Sequence, residues 1–234
     1  MANILMIETS TVACSVALSH DFDIAFSRET LQGPSHASVR GTYGEETMDY
    51  ARNNDLMPDA VAVSAGPGSY TGLRIGVSEA KGLAFGLHVP LIAVPTLKAM
   101  CCQVMFRSDF EMEEGALYCP MIDARRMEVY MALYDQRLAE VRPASAEVVD
   151  EQFLADVLAE HPVYFFGQGA EKCADVIRHP NAHFINEVRV LARDMMALSV
   201  QAFNRSQFVD VAYFTPFYLK EFQATKPKDL LKSL

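Results

Sequence analysis

The chain has 234 residues, half of them hydrophobic, which is enough for a sizeable core in one bilobal domain or in two small domains. Its formal net charge of −10 argues against tight autonomous binding of nucleic acid, because that affinity comes largely from cations on phosphates. No apolar run reaches membrane-spanning length and no signal peptide is visible, so we expect a cytoplasmic protein without a membrane partner.

Apolar runs in the first part of the chain predict a meander of three short strands, then a helix that opens at Pro34 and Ser35. Strands that alternate with helices follow, which implies parallel crossover connections. The predicted strands are 3–7, 12–18, 22–26, 59–64 and 91–94, and the predicted helices are 35–51, 72–87 and 96–106.

The same pattern restarts after a polar, acidic stretch at 107–115. It predicts strands 116–123, 128–134, 147–149 and 163–166, and helices 153–160, 169–178 and 189–204. A meander followed by helix and strand, occurring twice, predicts an α/β fold of two duplicated lobes. We expect an N-terminal lobe over 1–107, a smaller, degenerate second lobe over 108–219 and a tail over 220–234.

A glycine-rich turn joins the predicted strand at 59–64 to the next helix. Gly66 and Gly68 permit dihedral angles that side chains forbid, and Ser69 and Thr71 can cap the helix. Free N–H groups at a helix start can hold an anion. The turn is neither a Walker loop nor a GxGxxG motif, so two interpretations stay open, a structural turn and a phosphate site.

The helix at 72–87 carries one apolar face and four glycines at spacings of four. We expect Val77 and Leu83 to face a sheet, and the glycines to let a second helix approach closely, from this chain or from another. The alternative is an ordinary crossover helix buried in a large domain. The apolar face comprises Leu73, Gly76, Val77, Ala80, Leu83, Ala84 and Leu87.

Residues 66–76, read Gly-Pro-Gly-Ser-Tyr-Thr-Gly-Leu-Arg-Ile-Gly, resemble the signature of the TsaB family of accessory subunits in bacterial threonylcarbamoyladenosine synthesis on tRNA. Residues 121–130 and 216–220 agree in order and rough position. Residues 7–11 also fit, with Glu8 where the family usually has aspartate. The resemblance spans nearly the whole chain, and its first motif is long enough to be specific.

The resemblance implies two lobes of the actin/sugar-kinase/Hsp70-like (ASKHA, ribonuclease H-like) fold. It also implies a non-catalytic subunit that pairs with a TsaD-like subunit, which transfers the threonylcarbamoyl group to N6 of the adenosine beside the tRNA anticodon. A TsaE-like ATPase would complete the assembly, tRNA would be bound only through the complex, and the chain alone would form a homodimer.

In active members of that fold, nucleotide phosphates lie between two turns, one from each lobe. Here the first turn, residues 8–11, lacks glycine. The second turn, residues 123–126, has arginines where small residues are expected. We interpret the site as degenerate and expect no cofactor, while a small-molecule kinase or ATPase stays open as the alternative. The nucleotide-site positions are Glu8, Ser10, Asp123, Arg125, Gly167 and Gly169.

Metal and peptidase chemistry find little support in the sequence. TsaD-like relatives carry two metal-binding histidines four residues apart on the first helix, whereas here Arg40 follows His36 at that spacing. We therefore expect no metal site, and we interpret the five cysteines as reduced core thiols. A glycoprotease-like peptidase is a further alternative, although Ser69 has no histidine nearby in sequence.

If chemistry is absent, binding becomes the leading explanation for the chain. The two helices at 35–51 and 72–87 could supply half of a four-helix bundle, with the other half from a second protomer or a paralogous subunit. The alternative is that both helices are satisfied internally. The predicted interface residues are Val39, Tyr43, Thr47, Arg74, Ile75, Ser78, Gly82 and Phe85.

Overall fold

The computed structural model of the chain describes residues 2–31, 36–108 and 111–220, and for residues 36–41 it describes the backbone alone. The predicted tail beyond Lys220 and the side chains of His36, Val39 and Arg40 lie outside these described parts.

The first lobe is built on a five-stranded sheet. Its elements in chain order are β1 (Ile4–Glu8), β2 (Cys14–His20), β3 (Asp23–Thr30), α1 (His36–Asn53), β4 (Ala60–Gly66), α2 (Tyr70–Leu87), β5 (Leu91–Pro95) and α3 (Thr96–Met105). The strand order is β3-β2-β1-β4-β5. The first three strands pair antiparallel, and β4 and β5 continue the sheet in parallel.

The second lobe repeats this plan. Its elements are β6 (Leu117–Asp123), β7 (Glu128–Tyr134), β8 (Glu140–Val148), α4 (Ala155–Leu158), β9 (Val163–Phe166), α5 (Gln168–Glu171), β10 (Ala182–Ile185), a 3-10 turn (Ala192–Met195) and α6 (Met196–Asn204). The strand order β10-β9-β6-β7-β8 mirrors that of the first sheet, again with an antiparallel meander and two parallel strands. The predicted duplication of α/β lobes is confirmed.

One hydrophobic cluster joins the two lobes. Met6 of β1 and Met100 of α3 belong to the same buried cluster as Tyr118 and Phe166 of the second sheet. The 3-10 turn at Ala192–Met195 contacts β1, β2 and β3, although the sequence placed it in the second lobe. This turn therefore packs against the first sheet.

Three predicted helices are shorter than the sequence suggested. Predicted helices 153–160 and 169–178 reduce to the single turns α4 and α5. The predicted helix 189–204 starts only at Ala192, because Leu191 is extended and its N–H donates to the Asp194 carboxylate at 2.8 Å. After α5 the chain continues as successive turns with hydrogen bonds between residues three apart, such as that from the Val176 N–H to the Cys173 carbonyl at 2.9 Å.

Two strands were predicted incompletely or not at all. The structure extends β8 from the predicted 147–149 back to Glu140, across Pro143. Proline is tolerated there because β8 is an edge strand that pairs only with β7. The short β10 was not predicted, and it lies at the opposite edge of the same sheet.

Candidate functional site

An open cleft of about 500 Å³ lies between the two lobes. Turns from both sheets and a segment near the end of the described chain form its walls. The lining residues include Ser10 and Thr11 of the first turn, Gly68 to Thr71 of the glycine-rich turn, Asp123 to Arg125 of the second turn, Gln168, and Tyr218 to Lys220.

The glycine-rich turn packs tightly against the first turn. The Ser69 N–H donates to the Ser10 carbonyl at 2.7 Å, and the Ser69 hydroxyl accepts from the Gly72 N–H at 3.2 Å, which confirms Ser69 as the helix cap. A Cβ at Gly68 would lie 2.3 Å from the Ser10 carbonyl oxygen, and one at Gly72 would lie 2.1 Å from that of Thr9. These glycines make room for the chain's own backbone, which supports the structural interpretation of the turn.

Glu8 lies beneath the cleft and does not line it. Its side chain is fully buried, and its Oε1 accepts hydrogen bonds from both the N–H and the hydroxyl of Ser10 at 2.5 Å. Burial in the sheet raises the pKa of Glu8 to about 7, and the Ser10 hydrogen bonds lower it only in part. Glu8, predicted as a position of the degenerate nucleotide site, therefore lies outside the cleft lining, whereas Ser10 reaches the cleft.

Replacing Glu8 with glutamine should remove a pH dependence of stability. Because the folded state raises the pKa from 4.5 to about 7, it binds a proton more tightly than the unfolded chain does. The stabilisation that protonated Glu8 provides is therefore fully present below pH 4.5. The free energy of unfolding falls by about 3 kcal/mol as the pH rises to 7. Glu8→Gln keeps the Ser10 bonds to Oε1, so we expect it to be more stable than wild type at pH 8.

Urea unfolding at pH 5 and pH 8 checks this expectation for wild type and Glu8→Gln. The Asp194 carboxylate, whose pKa burial raises to about 6, contributes in the same direction and remains in both proteins. Equal wild-type and variant slopes of stability against pH would show that Glu8 is charged in the folded protein.

Lys172, just after α5, holds the second turn in place. Its ammonium donates to the Asp123 carboxylate at 2.5 Å and to the carbonyls of Arg126 and Glu128 at 2.5 and 2.7 Å. The same Asp123 oxygen accepts the Arg125 N–H at 2.8 Å. Lys172 could not be predicted from the sequence, because no local pattern relates it to a turn so far away along the chain.

The second turn is also unusual in its backbone. Arg125 and Arg126 both adopt left-handed conformations, with φ of 73° and 51°. Such conformations are uncommon outside glycine and persist where surrounding bonds fix them, here those made by Lys172 and Asp123. Asp123 and Arg125, two of the predicted nucleotide-site positions, line the cleft.

Gly167 and Gly169 serve packing behind the cleft. A Cβ at Gly167 would lie 2.3 Å from the Met100 methyl group and 2.5 Å from the Met121 carbonyl oxygen, and its φ is 95°. A Cβ at Gly169 would lie 2.9 Å from the β6 backbone. Neither lines the cleft, whereas Gln168 between them does. These two predicted positions of the degenerate nucleotide site therefore lie outside the cleft lining.

Residues 216–220, the C-terminal strap, cross the mouth of the cleft. The Phe217 N–H donates to the Ala65 carbonyl at 2.7 Å. The Tyr218 ring lies 4.8 Å from that of Tyr70. At its far end the Lys220 ammonium pairs with the Glu128 carboxylate of the second lobe. The sequence singled out this stretch as a motif but did not indicate that it bridges the lobes.

The two long faces of α2 differ in how much of their side chains is exposed. Val77 is 4% exposed against the sheet, as predicted, whereas Leu83 is half-buried beside a groove between α1 and α2. On the opposite side Phe85 is 74% exposed. A Cβ at Gly82 or Gly86 would meet nothing within 4 Å among the described residues. We call Ser78, Gly82, Phe85 and Gly86, together with the half-buried Ile75 beside them, the exposed arc of α2.

Two predicted interface residues, Thr47 and Tyr43, lie on α1 and not on the exposed arc of α2. Thr47 is completely buried, and its hydroxyl donates to the Tyr43 carbonyl at 2.6 Å, so its prediction as a surface contact is corrected. Tyr43 is half-buried, with its hydroxyl 3.4 Å from the Glu29 carbonyl. Arg74 is exposed at the margin of the arc, where its guanidinium covers Tyr70 and donates to the Tyr218 hydroxyl at 3.3 Å.

Among the described residues, no group of three or more histidine, cysteine, aspartate or glutamate side chains is placed to hold a metal ion. No described helix is both long and apolar enough to cross a membrane. All five cysteines lie in the described parts of the chain as buried thiols, and burial raises the pKa of Cys101 and Cys119 well above the usual value.

Comparison with known proteins relates nearly the whole chain to one group. A family model described as "TsaD: tRNA N6-adenosine threonylcarbamoyltransferase" matches residues 42–228. The "tRNA threonylcarbamoyladenosine biosynthesis protein TsaB" of Escherichia coli is 30% identical over 244 residues, covering 95% of this chain and 96% of that protein. The protein of the same name from Bacillus subtilis is 33% identical over 70% of each chain.

Two solved structures from Pseudomonas aeruginosa share the architecture. One, titled as an uncharacterized protein with similarity to peptidase YEAZ, is 26% identical with a TM-score of 0.79. The other, titled YeaZ, is 28% identical with a TM-score of 0.73. Each alignment covers 94% of this chain and 100% of the other.

Proposed function

Because the chain belongs to the TsaB family and its role lies in tRNA threonylcarbamoyladenosine biosynthesis, we propose that it is a non-catalytic subunit that pairs with a TsaD-type transferase through the exposed arc of α2. The pairing explains why a chain of this fold keeps a conspicuous surface helix while its cleft lacks the groups that nucleotide chemistry requires.

The state of the two carboxylates at these turns, Glu8 beneath the cleft and Asp123 in its lining, supports a non-catalytic role. Phosphoryl transfer in this fold needs a carboxylate and backbone amides that hold the metal and phosphates. Glu8 lies fully buried, with a pKa of about 7. Asp123 is paired with Lys172 at 2.5 Å, so this chain's own cation takes the place beside it. The strap further narrows the mouth of the cleft with Tyr218 and Lys220.

The exposed arc of α2 is the observation that carries the pairing proposal. Phe85 presents a mostly exposed ring beside two glycines whose Cβ positions face open space. An exposed aromatic ring contributes a large apolar area when a partner covers it, and glycines at a spacing of four let a second helix approach closely. The partner that fits is a helix with an apolar face, so that α1 and α2 form half of a four-helix bundle.

The proposal extends to the wider assembly. A net charge of −10 is unfavourable for phosphate contacts, so tRNA reaches this subunit only through its partner, in the cytoplasm. A TsaE-type ATPase supplies the nucleotide turnover that this cleft lacks. In the absence of the transferase, the same arc pairs two copies of this chain as a homodimer.

Co-purification of the chain with a TsaD-type partner, followed by light scattering, tests the pairing. We expect a stable heterodimer, and two proteins that elute separately at micromolar concentrations would contradict it. Calorimetric titration of the isolated chain with magnesium-ATP tests the alternative of a small-molecule kinase or ATPase. We expect no heat of binding, whereas saturable micromolar binding would favour that alternative.

A further inference from the structure

The C-terminal strap contacts the protein at two places, one on each lobe, which we call its seats. In the first lobe, the Phe217 N–H bonds to the Ala65 carbonyl, and the Phe217 carbonyl oxygen lies only 2.4 Å from where a Cβ at Gly66 would stand. The strap backbone can therefore pack at this place only because Gly66 has no side chain. In the second lobe, Lys220 pairs with Glu128 at the start of β7. Five residues thus connect both sides of the cleft.

The first seat includes the opening turn of α2. The Tyr218 hydroxyl accepts from Arg74 Nε at 3.3 Å, and the Tyr218 ring packs on Tyr70, the first residue of the helix. The Arg74 guanidinium lies 4.4 Å above the centre of the Tyr70 ring. Ile75, the next residue, belongs to the exposed arc. The strap thus touches the helix turn from which the arc begins.

The second seat is rigid. The carbonyl of Glu128 accepts from the Lys172 ammonium at 2.7 Å, and the same ammonium holds Asp123 and the Arg126 carbonyl. The strap is therefore anchored at its far end to the fixed turn of the second lobe. A change in the separation of the lobes must either stretch the strap or release one of its seats.

We propose that the C-terminal strap is a clamp that couples the separation of the two lobes to the order of the first turn of α2, and through that turn to pairing at the exposed arc. With the Lys220–Glu128 pair closed, Tyr218 holds Tyr70 and Arg74 in place. With the pair open, the strap is held only by its contacts with the first lobe, Tyr218 packs less firmly on Tyr70 and Arg74, and the start of α2 frays. The pairing part of this inference rests on the proposed function, whereas the coupling within the chain does not.

Charge reversal on the full-length chain tests the clamp. Lys220→Glu places two carboxylates opposite each other, and Lys220→Glu combined with Glu128→Lys restores an ion pair of reversed polarity. An exposed pair contributes up to about 1 kcal/mol, so we expect amide exchange at residues 70–75 to rise about fivefold in the single variant. The double variant should return it to the wild-type rate. Arg142→Glu, which breaks a comparable pair with Asp156, is the control and should leave residues 70–75 unchanged.

Exchange at residues 70–75 that stays at the wild-type rate in Lys220→Glu would overturn the clamp, as would a double variant that fails to restore it. Affinity for the TsaD-type partner is the second readout, and it should weaken several-fold in Lys220→Glu and recover in the double variant. If the wild-type chain does not bind that partner, the proposed function fails, and the exchange measurement still decides the clamp.

Discussion

Replacing Phe85 with arginine should abolish pairing and leave the fold intact. The ring is 74% exposed in the chain alone, so its loss changes stability by less than about 0.5 kcal/mol. In a paired complex the guanidinium would be buried against an apolar helix without a counter-charge. An uncompensated buried charge costs about 3–5 kcal/mol, which corresponds to a loss of affinity of at least about 100-fold.

Light scattering of the mixed proteins and thermal unfolding of the variant check this result together. Two matched variants separate pairing from folding. Val148→Arg changes another exposed apolar residue, on the edge strand β8, and should pair and fold like wild type. Val77→Arg buries a charge against the sheet and should unfold the chain. A Phe85→Arg chain that pairs with wild-type affinity would place the interface elsewhere.

Gly76→Ala should destabilise the chain, although alanine favours a helix. Its Cβ would lie 2.1 Å from the hydroxyl oxygen of Thr9, a buried side chain that bonds to the Gly72 carbonyl at 2.8 Å. Displacing Thr9 breaks this bond between the first turn and α2. Overpacking of this kind costs about 1–3 kcal/mol, and the lost hydrogen bond adds about 1 kcal/mol.

Gly82→Ala in the same helix is the matched control. Its Cβ enters open space, so the variant should gain up to about 1 kcal/mol from helix propensity. Urea unfolding measures both variants at a concentration where the chain is monomeric. If the Gly76→Ala chain is as stable as the Gly82→Ala chain, then Thr9 in the first turn moves aside without lowering the free energy of unfolding.

The sequence patterns predicted the fold well, and the reason is physical. Strands such as β1 and β4 are buried on both faces, and therefore appear as short continuous apolar runs. The two antiparallel meanders recur at the same places in each half, so the duplication could be inferred before the sheets were seen. The glycine-rich turn and the Ser69 cap were predictable because both depend on local backbone chemistry.

The site was predicted less completely, because it depends on contacts between distant residues. Lys172 and Asp123 are 49 residues apart, and no local pattern pairs them. Gly167 and Gly169 looked like ligand contacts, yet the neighbouring β6 backbone explains them. Thr47 shared the helical spacing of Tyr43, but periodicity does not tell which side of α1 meets the sheet.

Reconstituted tRNA threonylcarbamoylation tests the central claim most directly. The TsaD-type transferase and its ATPase partner would be assayed with wild-type chain, with Phe85→Arg chain and without either, and the wild-type chain would be assayed alone. We predict full modification only with the wild-type chain and no turnover by that chain alone. Undiminished modification with Phe85→Arg, or turnover by the isolated chain, would contradict a non-catalytic subunit that acts through the exposed arc of α2.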